Sequence, residues 1–289
     1  MTLLVTGAAG QLGREVVRVA SATRPVVAFE RRDLDLTDPG SVRTALDYHR
    51  PAAVVNCAAW TDVDGCELDP KKAYLVNGQA VADLAETCRE FGAHLVQVST
   101  DFVFDGRQAP GRPLVPYREN DPTNPLNVYG ASKLVGEAAA GDAATVVRTT
   151  WLQPADGLGM VGRILAKLES SREAGGMVEL LGDRQACPTF VVDLVPTLLR
   201  LADEQVTGVV HVVNEGVATW ADVGRLVAME AGFDPDRIVS VAEVDLGPPR
   251  PAVRPQYSAL DGAVLRHLGY PPLRHHREAV AAAVQRLRG

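Results

Sequence analysis

The sequence Thr6-Gly7-Ala8-Ala9-Gly10-Gln11-Leu12-Gly13 spaces three glycines three residues apart, directly after the apolar run of residues 3–5. Glycines at this spacing allow a tight turn between a strand and a helix, and they let backbone N–H groups approach a pyrophosphate at the helix N-terminus. A plain strand-to-helix turn can have the same composition, so the motif alone is a weak indication. Its place between the first predicted strand and the first predicted helix favours a dinucleotide-binding turn.

Beyond this turn, short apolar runs alternate with longer segments of helical period. The pattern predicts strands at residues 3–6, 26–29, 53–56, 94–99 and 144–148, and helices at residues 11–20, 39–48 and 70–91. Such alternation is typical of βαβ units, and the nearly continuous apolar strands indicate a parallel sheet covered by helices on both faces. We therefore expect an α/β fold with a Rossmann-type doubly wound parallel sheet, in which residues 1–150 form a dinucleotide-binding domain.

After Trp151 the predicted elements become shorter and less regular. Strands are predicted at residues 178–181 and 209–213, and helices at 191–203, 221–231 and 278–287. We expect residues 151–289 to form mainly a smaller C-terminal α/β substrate-binding domain, with part of 189–215 returning to the first domain. Residues 106–125, rich in Pro, Gly, Arg and Asp, are too long for an ordinary connection and are predicted to be a substrate-facing loop.

The composition argues against several classes of protein. A net charge of −7 on 289 residues disfavours nucleic acid as a partner. There is no basic leader and no apolar run of the roughly 18 residues that a membrane span needs, so we expect a cytoplasmic protein without a membrane partner. The four cysteines show no C-x-x-C spacing, which favours reduced thiols over a zinc site or a disulfide framework.

Tyr129 and Lys133 lie four residues apart, so a helix would place both side chains on one face. An ammonium group near a phenol lowers the pKa of the phenol, which suits a proton donor to a nascent alkoxide. Such pairs occur on many helices by chance. Here, however, Ser99 and Thr100 are predicted at the carboxyl end of the fourth strand, where open α/β sheets bind ligands. We therefore predict Thr100, Tyr129 and Lys133 as catalytic residues, with Thr100 and Tyr129 sharing one carbonyl oxygen.

The choice between NADPH and NADH is expected just beyond the second strand, where Glu30 is followed by Arg31 and Arg32. A carboxylate there can bind a ribose 2′-OH, whereas arginines can hold a 2′-phosphate. The two signals conflict, and an ordinary charged loop is the alternative; two guanidinium groups against one carboxylate favour NADPH over NADH. The full set of predicted cofactor-binding residues is Gly7, Gly10, Gln11, Leu12, Gly13, Glu30, Arg31, Arg32, Asp35, Leu36, Ala58, Ala59, Thr61, Tyr129 and Lys133.

Several blocks of the sequence resemble the extended short-chain dehydrogenase/reductases, and more closely the dTDP-4-dehydrorhamnose reductases. These blocks are Gly7/Gly10/Gly13, Asn56-Cys57-Ala58-Ala59, Ser99 to Gly106, Pro125 to Gly130, Arg148 to Trp151, Pro188-Thr189, and Arg254-Pro255 followed by Ser258. They span almost the whole chain. The resemblance implies hydride transfer from NADPH or NADH to C4 of a dTDP-4-keto-6-deoxy-L-sugar, with Tyr129 as proton donor, Lys133 on the nicotinamide ribose and Thr100 on the substrate oxygen.

The resemblance also implies contacts with the substrate. Thr100, Asp101 and Trp151 match positions that contact the sugar, and Arg254 matches a position that faces the nucleotide diphosphate. Phe102 departs from the family, which usually has Tyr there, so a different sugar is possible.

Some family members join subunits through magnesium held by clustered glutamates. Glu15 is present here, but the segment after Thr189 has no second carboxylate until Asp193. We therefore predict no metal, and we expect a monomer or a homodimer.

Three other functions were weighed. Related nucleotide-sugar dehydratases carry Asp-Glu directly after the catalytic Thr, because elimination needs proton removal as well as proton delivery; here Phe102 follows Asp101. An epimerase of the same superfamily needs only the Tyr/Lys pair and a sugar free to rotate, so it stays open. A non-catalytic NADP-binding regulatory subunit, similar to the beta subunit of methionine adenosyltransferase, needs no proton donor, and the intact Tyr129 and Lys133 count against it.

Overall fold

The computed structural model describes residues 1–107, 114–172, 175–247 and 249–289. Its helices are α1 Gln11–Ala20, α2 Pro39–His49, α3 Val63–Leu68, α4 Pro70–Tyr74, α5 Ala80–Phe91, α6 Val128–Ala140, α7 Met160–Ser170, α8 Val191–Asp203, α9 Trp220–Glu230, α10 Ala263–His267 and α11 His276–Arg288. Its strands are β1 Leu3–Thr6, β2 Val26–Phe29, β3 Ala53–Asn56, β4 His94–Thr100, β5 Thr145–Thr149, β6 Leu152–Gln153, β7 Val178–Leu181, β8 Thr189–Phe190, β9 Gly208–His211, β10 Asn214–Glu215, β11 Ile238–Val241 and β12 Leu273–His275.

Six strands form one parallel sheet in the order β2-β1-β3-β4-β5-β9. Successive residues of β1 point to opposite faces, so Leu3 and Val5 pack with helices α1 and α8, whereas Leu4 packs with α2 and α5. Each face of the sheet is therefore covered by helices. This arrangement confirms the predicted α/β class and the Rossmann-type doubly wound sheet.

The helix predicted over residues 70–91 is wrong in one respect, because a π-helical turn at Leu75–Gln79 separates α4 from α5. The wider turn brings Asn77 against the segment that follows β3. There the Asn77 side chain accepts from the Trp60 N–H at 2.8 Å and donates to the Trp60 carbonyl at 3.0 Å and to the Ser132 hydroxyl at 3.1 Å. The hydrogen bonds that Asn77 makes to the Trp60 backbone thus compensate for the loss of regular α-helical geometry at this turn.

The chain after β5 builds a smaller layer with its own core. Helices α7, α9 and α11 pack around the two-stranded sheet β7-β11, with Ile164, Val223 and Val280 almost fully buried between them. Strand β9 instead pairs with β5 in the large sheet, and helix α8 packs against one face of that sheet. Helix α7 had no sequence prediction, and β9 begins one residue earlier and ends two residues earlier than the predicted 209–213. Of the predicted loop 106–125, residues 108–113 lie outside the described residues.

Helix α6, which carries Tyr129 and Lys133, lies unusually close to the end of β4. A Cβ atom on Gly130 would stand only 2.1 Å from the carbonyl oxygen of Phe102. On the inner side of the same helix, Glu137 and Arg148 of β5 form a buried ion pair, with nitrogen-to-oxygen distances of 2.7 and 2.9 Å. The glycine allows the close approach, and the ion pair joins the helix to the sheet.

Gly130→Ala should therefore destabilise the protein, because the added methyl group meets a backbone carbonyl that cannot rotate away. We expect the free energy of unfolding to fall by about 1–3 kcal/mol in urea denaturation. Gly40→Ala is the matched control, since its Cβ would meet only a carboxylate oxygen of Asp38 at 3.3 Å. That variant should stay within about 1 kcal/mol of the wild type. Equal losses in both variants would contradict the close packing of α6.

Candidate active site

The glycine turn leaves the N-terminus of α1 open. Gly7 adopts φ +64°, and a Cβ on Gly13 would lie 2.2 Å from the Gly7 carbonyl oxygen. The N-cap residue of α1 is Gly10, with no capping side chain, and the first turn carries no acidic residue. Free N–H groups and the positive end of the helix dipole suit a pyrophosphate.

Two adjoining cavities lie along the carboxyl ends of the strands. The larger, of about 500 Å³, is called the catalytic cavity, and the smaller, of about 300 Å³, the adenosine cavity. They share Gly10, Cys57 and Ala59. Predicted site residues that line the catalytic cavity are Gly10, Gln11, Leu12, Gly13, Ala59, Thr61, Thr100, Asp101, Tyr129, Lys133 and Trp151. Those that line the adenosine cavity are Gly7, Gly10, Glu30, Arg31, Asp35, Leu36, Ala58 and Ala59.

Two predicted residues lie outside both cavities. Arg32 is exposed and pairs with Glu30 at 3.1 Å, whereas its neighbour Arg31 lines the adenosine cavity. The Arg254 guanidinium is largely buried and binds both carboxylate oxygens of Asp64, at 2.7 and 3.1 Å. Arg32 thus pairs with a residue that lines the adenosine cavity but does not line it itself, and the charge of Arg254 is already balanced within the protein.

Lys133 is 3% exposed, and its Nζ donates to the carbonyl oxygen of Val98 on β4 at 2.6 Å. Burial lowers the pKa of Lys133 to about 8, against the opposing effect of the Glu137 carboxylate. A group with this pKa is mostly protonated at neutral pH. The cavity therefore contains a positive charge at its inner wall.

Tyr129 differs from the expectation based on its spacing from Lys133. Burial raises the pKa of the Tyr129 phenol well above its usual range, and hydrogen bonding with Thr100 only partly opposes this. The expected lowering by Lys133 is therefore corrected: desolvation of the phenolate is the larger effect. A phenol with a raised pKa stays protonated, which is the form that can donate a proton.

Asp101 is buried at the base of the catalytic cavity. Its Oδ1 lies 3.1 Å from the Thr100 hydroxyl, and its Oδ2 accepts from the Ser258 hydroxyl at 2.5 Å. Burial raises the pKa of Asp101 to about 6, with the hydrogen bond from Ser258 the largest opposing effect. Ser258 lies 157 residues further along the chain, in a block that resembles the reductase family. The sequence analysis assigns it no role.

Three further hydroxyls, to which the sequence analysis assigns no role in the site, line the catalytic cavity. Ser99, Thr149 and Thr150 are at most 4% exposed, and their hydroxyl oxygens have no hydrogen-bond partner among the residues that the structure describes. Thr150 lies close enough to Asp101 to lower its pKa slightly, but without regular hydrogen-bond geometry. Unpaired buried hydroxyls are costly, so these residues fit a polar ligand. The available signals were their position at the ends of β4 and β5 and their place in two of the blocks that resemble the reductase family.

Trp151 closes one end of the catalytic cavity in a strained backbone conformation, with φ +45°. Its ring stacks on Trp220 at a centroid distance of 4.1 Å and an angle of 8°. Trp220 is the first residue of α9, so the stack joins the smaller layer to the cavity. In the adenosine cavity, Lys72 lies 3.9 Å from the ring centre of Trp60, a contact without a sequence signal.

Within the described ranges, no helix is long and apolar enough to cross a membrane. The same residues contain no group of three or more His, Cys, Asp or Glu side chains able to hold a metal ion. Glu15, the residue weighed as a metal ligand, accepts from Arg18 at 2.6 and 2.8 Å.

Comparison with known proteins identifies the family. The family model described as "RmlD substrate binding domain" matches residues 1–288. A dTDP-4-dehydrorhamnose reductase of Streptomyces griseus is 40% identical over 296 residues, which cover 99% of this chain and 94% of that protein. A dTDP-4-keto-6-deoxy-D-glucose reductase of Streptomyces niveus is 39% identical over 285 residues, which cover 97% and 95%.

A solved structure agrees with these relatives. The dTDP-4-dehydrorhamnose reductase of Bacillus anthracis str. Ames, crystallised in complex with NADP, has a TM-score of 0.88 and 29% identity over 97% of each chain. The chain therefore belongs to the dTDP-4-dehydrorhamnose reductase family, within the extended short-chain dehydrogenase/reductases, and is an NAD(P)H-dependent oxidoreductase.

Proposed function

We propose that this chain reduces the C4 keto group of a dTDP-4-keto-6-deoxy-L-sugar, such as dTDP-4-dehydrorhamnose, with NADPH as the preferred cofactor. The observation that carries the proposal is the convergence of Thr100, Tyr129 and Lys133 on one cavity that adjoins an open helix N-terminus. Relatives that are reductases of dTDP-linked 4-keto-6-deoxy sugars support the substrate class.

In the proposed reaction, bound NADPH supplies the hydride. Tyr129 donates its proton to the substrate oxygen, which gains negative charge as the carbonyl is reduced. The raised pKa of the Tyr129 phenol keeps that proton in place until the substrate oxygen becomes more basic. Lys133 holds the nicotinamide ribose, and its positive charge stabilises the phenolate left after proton transfer.

The remaining residues bind and orient the substrate. Thr100 donates a hydrogen bond to the substrate carbonyl, and the unpaired hydroxyls of Ser99, Thr149 and Thr150 bind polar groups of the cofactor and sugar. Trp151 packs against the sugar ring, supported by its stack on Trp220. We keep Arg254 as the residue that faces the nucleotide diphosphate, although it lies outside both cavities and Asp64 already pairs with its guanidinium group.

We further propose a division of labour between the two parts of the chain. Residues 1–150, with α8 and β9, bind the dinucleotide, and most of residues 151–289 bind the nucleotide sugar. Tyr129 would then lie between the bound dinucleotide and the bound sugar.

The function is tested by incubation of the protein with NADPH and a dTDP-4-keto-6-deoxyhexose. We expect NADPH to be consumed in equal amount to the sugar, with a hydroxyl at C4 of the product in the NMR spectrum, where its stereochemistry is also determined. A sugar that changes configuration without consumption of NADPH would instead identify an epimerase.

Tyr129→Phe removes only the proton donor. We expect kcat to fall at least about a hundredfold, while the Kd for NADPH in a fluorescence titration stays close to that of the wild type. Tyr48→Phe is the matched control, because Tyr48 is 83% exposed on α2; its kcat should not change. Turnover in Tyr129→Phe at the wild-type rate would exclude the proposed acid.

Arg31 and Arg32 provide a matched pair for cofactor choice. Arg31 lines the adenosine cavity, whereas Arg32 lies outside it beside Glu30. Arg31→Ala should weaken NADPH binding about tenfold or more, with little effect on NADH, because only NADPH carries a 2′-phosphate. Arg32→Ala should change both affinities by less than about threefold. Equal weakening of NADPH and NADH by Arg31→Ala would refute this reading.

A further inference from the structure

The Thr100 hydroxyl already has a partner for its proton and a partner for one of its lone pairs. Its oxygen accepts from the Phe102 backbone N–H at 3.2 Å, and it lies 3.1 Å from Oδ1 of Asp101. The Tyr129 phenol lies close enough to Thr100 for that hydroxyl to lower the pKa of the phenol. A hydroxyl has one proton to donate and two lone pairs to accept with. The direction of each bond therefore depends on which partner supplies the hydrogen.

The charge of Asp101 decides that direction. An ionised carboxylate can only accept, so the Thr100 proton must point toward Asp101. One lone pair of Thr100 is already used by Phe102, and the other can accept from Tyr129. A ketone also has no proton to donate. In this state Thr100 and a substrate carbonyl face each other as two acceptors, and no hydrogen bond forms between them.

A neutral Asp101 reverses the arrangement. Its Oδ2 still accepts from Ser258 at 2.5 Å, which leaves Oδ1 to carry the proton and donate it to Thr100. The Thr100 proton is then free to point into the catalytic cavity. Geometry alone thus connects the protonation of a buried carboxyl group to the donor capacity of a catalytic hydroxyl.

We propose that Asp101 and Ser258 are positioning residues that set the direction of the Thr100 hydroxyl, and that the form with a neutral Asp101 is the one competent to bind the substrate carbonyl. The proposal rests on the proposed ketone reduction and adds a control of its pH dependence. It gives a role to Ser258, whose hydroxyl crosses from the C-terminal segment to the end of β4.

The surroundings of Asp101 support this role. Among the described residues, the titratable groups that face it are the Tyr129 phenol on α6 and the Cys187 thiol before β8, and burial raises the pKa of both. Both are therefore neutral in the pH range in question. Burial is the largest effect on the pKa of Asp101 and raises it, whereas the hydroxyls of Ser258, Thr150 and Thr100 and a backbone hydrogen bond lower it.

The test is the pH profile of kcat/KM for the 4-keto sugar, because kcat/KM reports ionisations of the free enzyme. In the wild type we expect kcat/KM to fall about tenfold per pH unit as the pH rises above about 6, where Asp101 ionises. A separate fall near pH 8 is expected from Lys133. Asp101→Asn, which is neutral at every pH and can both donate and accept, should lose the first fall and keep the second. A first fall that persists in Asp101→Asn overturns the proposal.

Ser258→Ala provides a second variant whose outcome does not depend on Asp101→Asn folding. Because Ser258 stabilises the ionised form of Asp101, its removal should raise the pKa of Asp101 and move the first fall about one unit toward higher pH. Ser240→Ala, at an exposed position on β11, is the control and should leave the profile unchanged. A first fall that stays at the wild-type pH in Ser258→Ala contradicts the role of Ser258.

Different results would contradict the proposed function and the proposed role of Asp101 and Ser258. If the wild-type protein does not reduce the 4-keto sugar at any pH, the proposed function is wrong. If it reduces the sugar but the profiles of wild type, Asp101→Asn and Ser258→Ala coincide, only the role of Asp101 and Ser258 is wrong.

Discussion

The close packing of helix α6 against the end of strand β4 is the constraint on which the site depends. Gly130 permits the approach, because any Cβ there would collide with the Phe102 carbonyl, and the buried Glu137–Arg148 pair holds the helix to β5. The same packing buries Lys133 and leaves Tyr129 only partly exposed, at the wall of the catalytic cavity. Their electrostatics follow from one cause, since desolvation disfavours the phenolate and the ammonium alike. The result is a phenol that keeps its proton, beside a lysine whose pKa is lowered to about 8.

Around this helix, the sheet supplies hydroxyls and the C-terminal segment supplies their orientation. Parallel strands end at one edge, so Thr100 of β4 and Thr149 of β5 are neighbours in register. Ser258 reaches that edge from 157 residues away and fixes Asp101. Trp220 does the same for Trp151 through a ring stack. Residues from the C-terminal half of the chain therefore fix two side chains that line the catalytic cavity, Asp101 and Trp151.

The sequence predicted the features that local patterns encode. Apolar runs located β1 to β4 almost to the residue, and the glycine spacing located the turn before α1. The sequence did not predict the features that depend on contacts between residues far apart in the chain. Asp64 and Arg254 are separated by 190 positions, so nothing local shows that the guanidinium is already paired. The π-helical turn at Leu75–Gln79 arises from Asn77 binding Trp60. The pKa of Tyr129 depends on burial, which the spacing of Tyr129 and Lys133 does not report.

The central claim is that a hydride and a proton meet at one carbonyl beside Tyr129. It is tested most directly by reaction of the protein with NADPH carrying deuterium at C4 of the nicotinamide, followed by NMR of the sugar product. The account predicts that deuterium from one face of the nicotinamide appears at C4 of the sugar and at no other carbon, in equal amount to the NADPH consumed. Deuterium at a different carbon, or a product formed with hydrogen from solvent at C4, would contradict it.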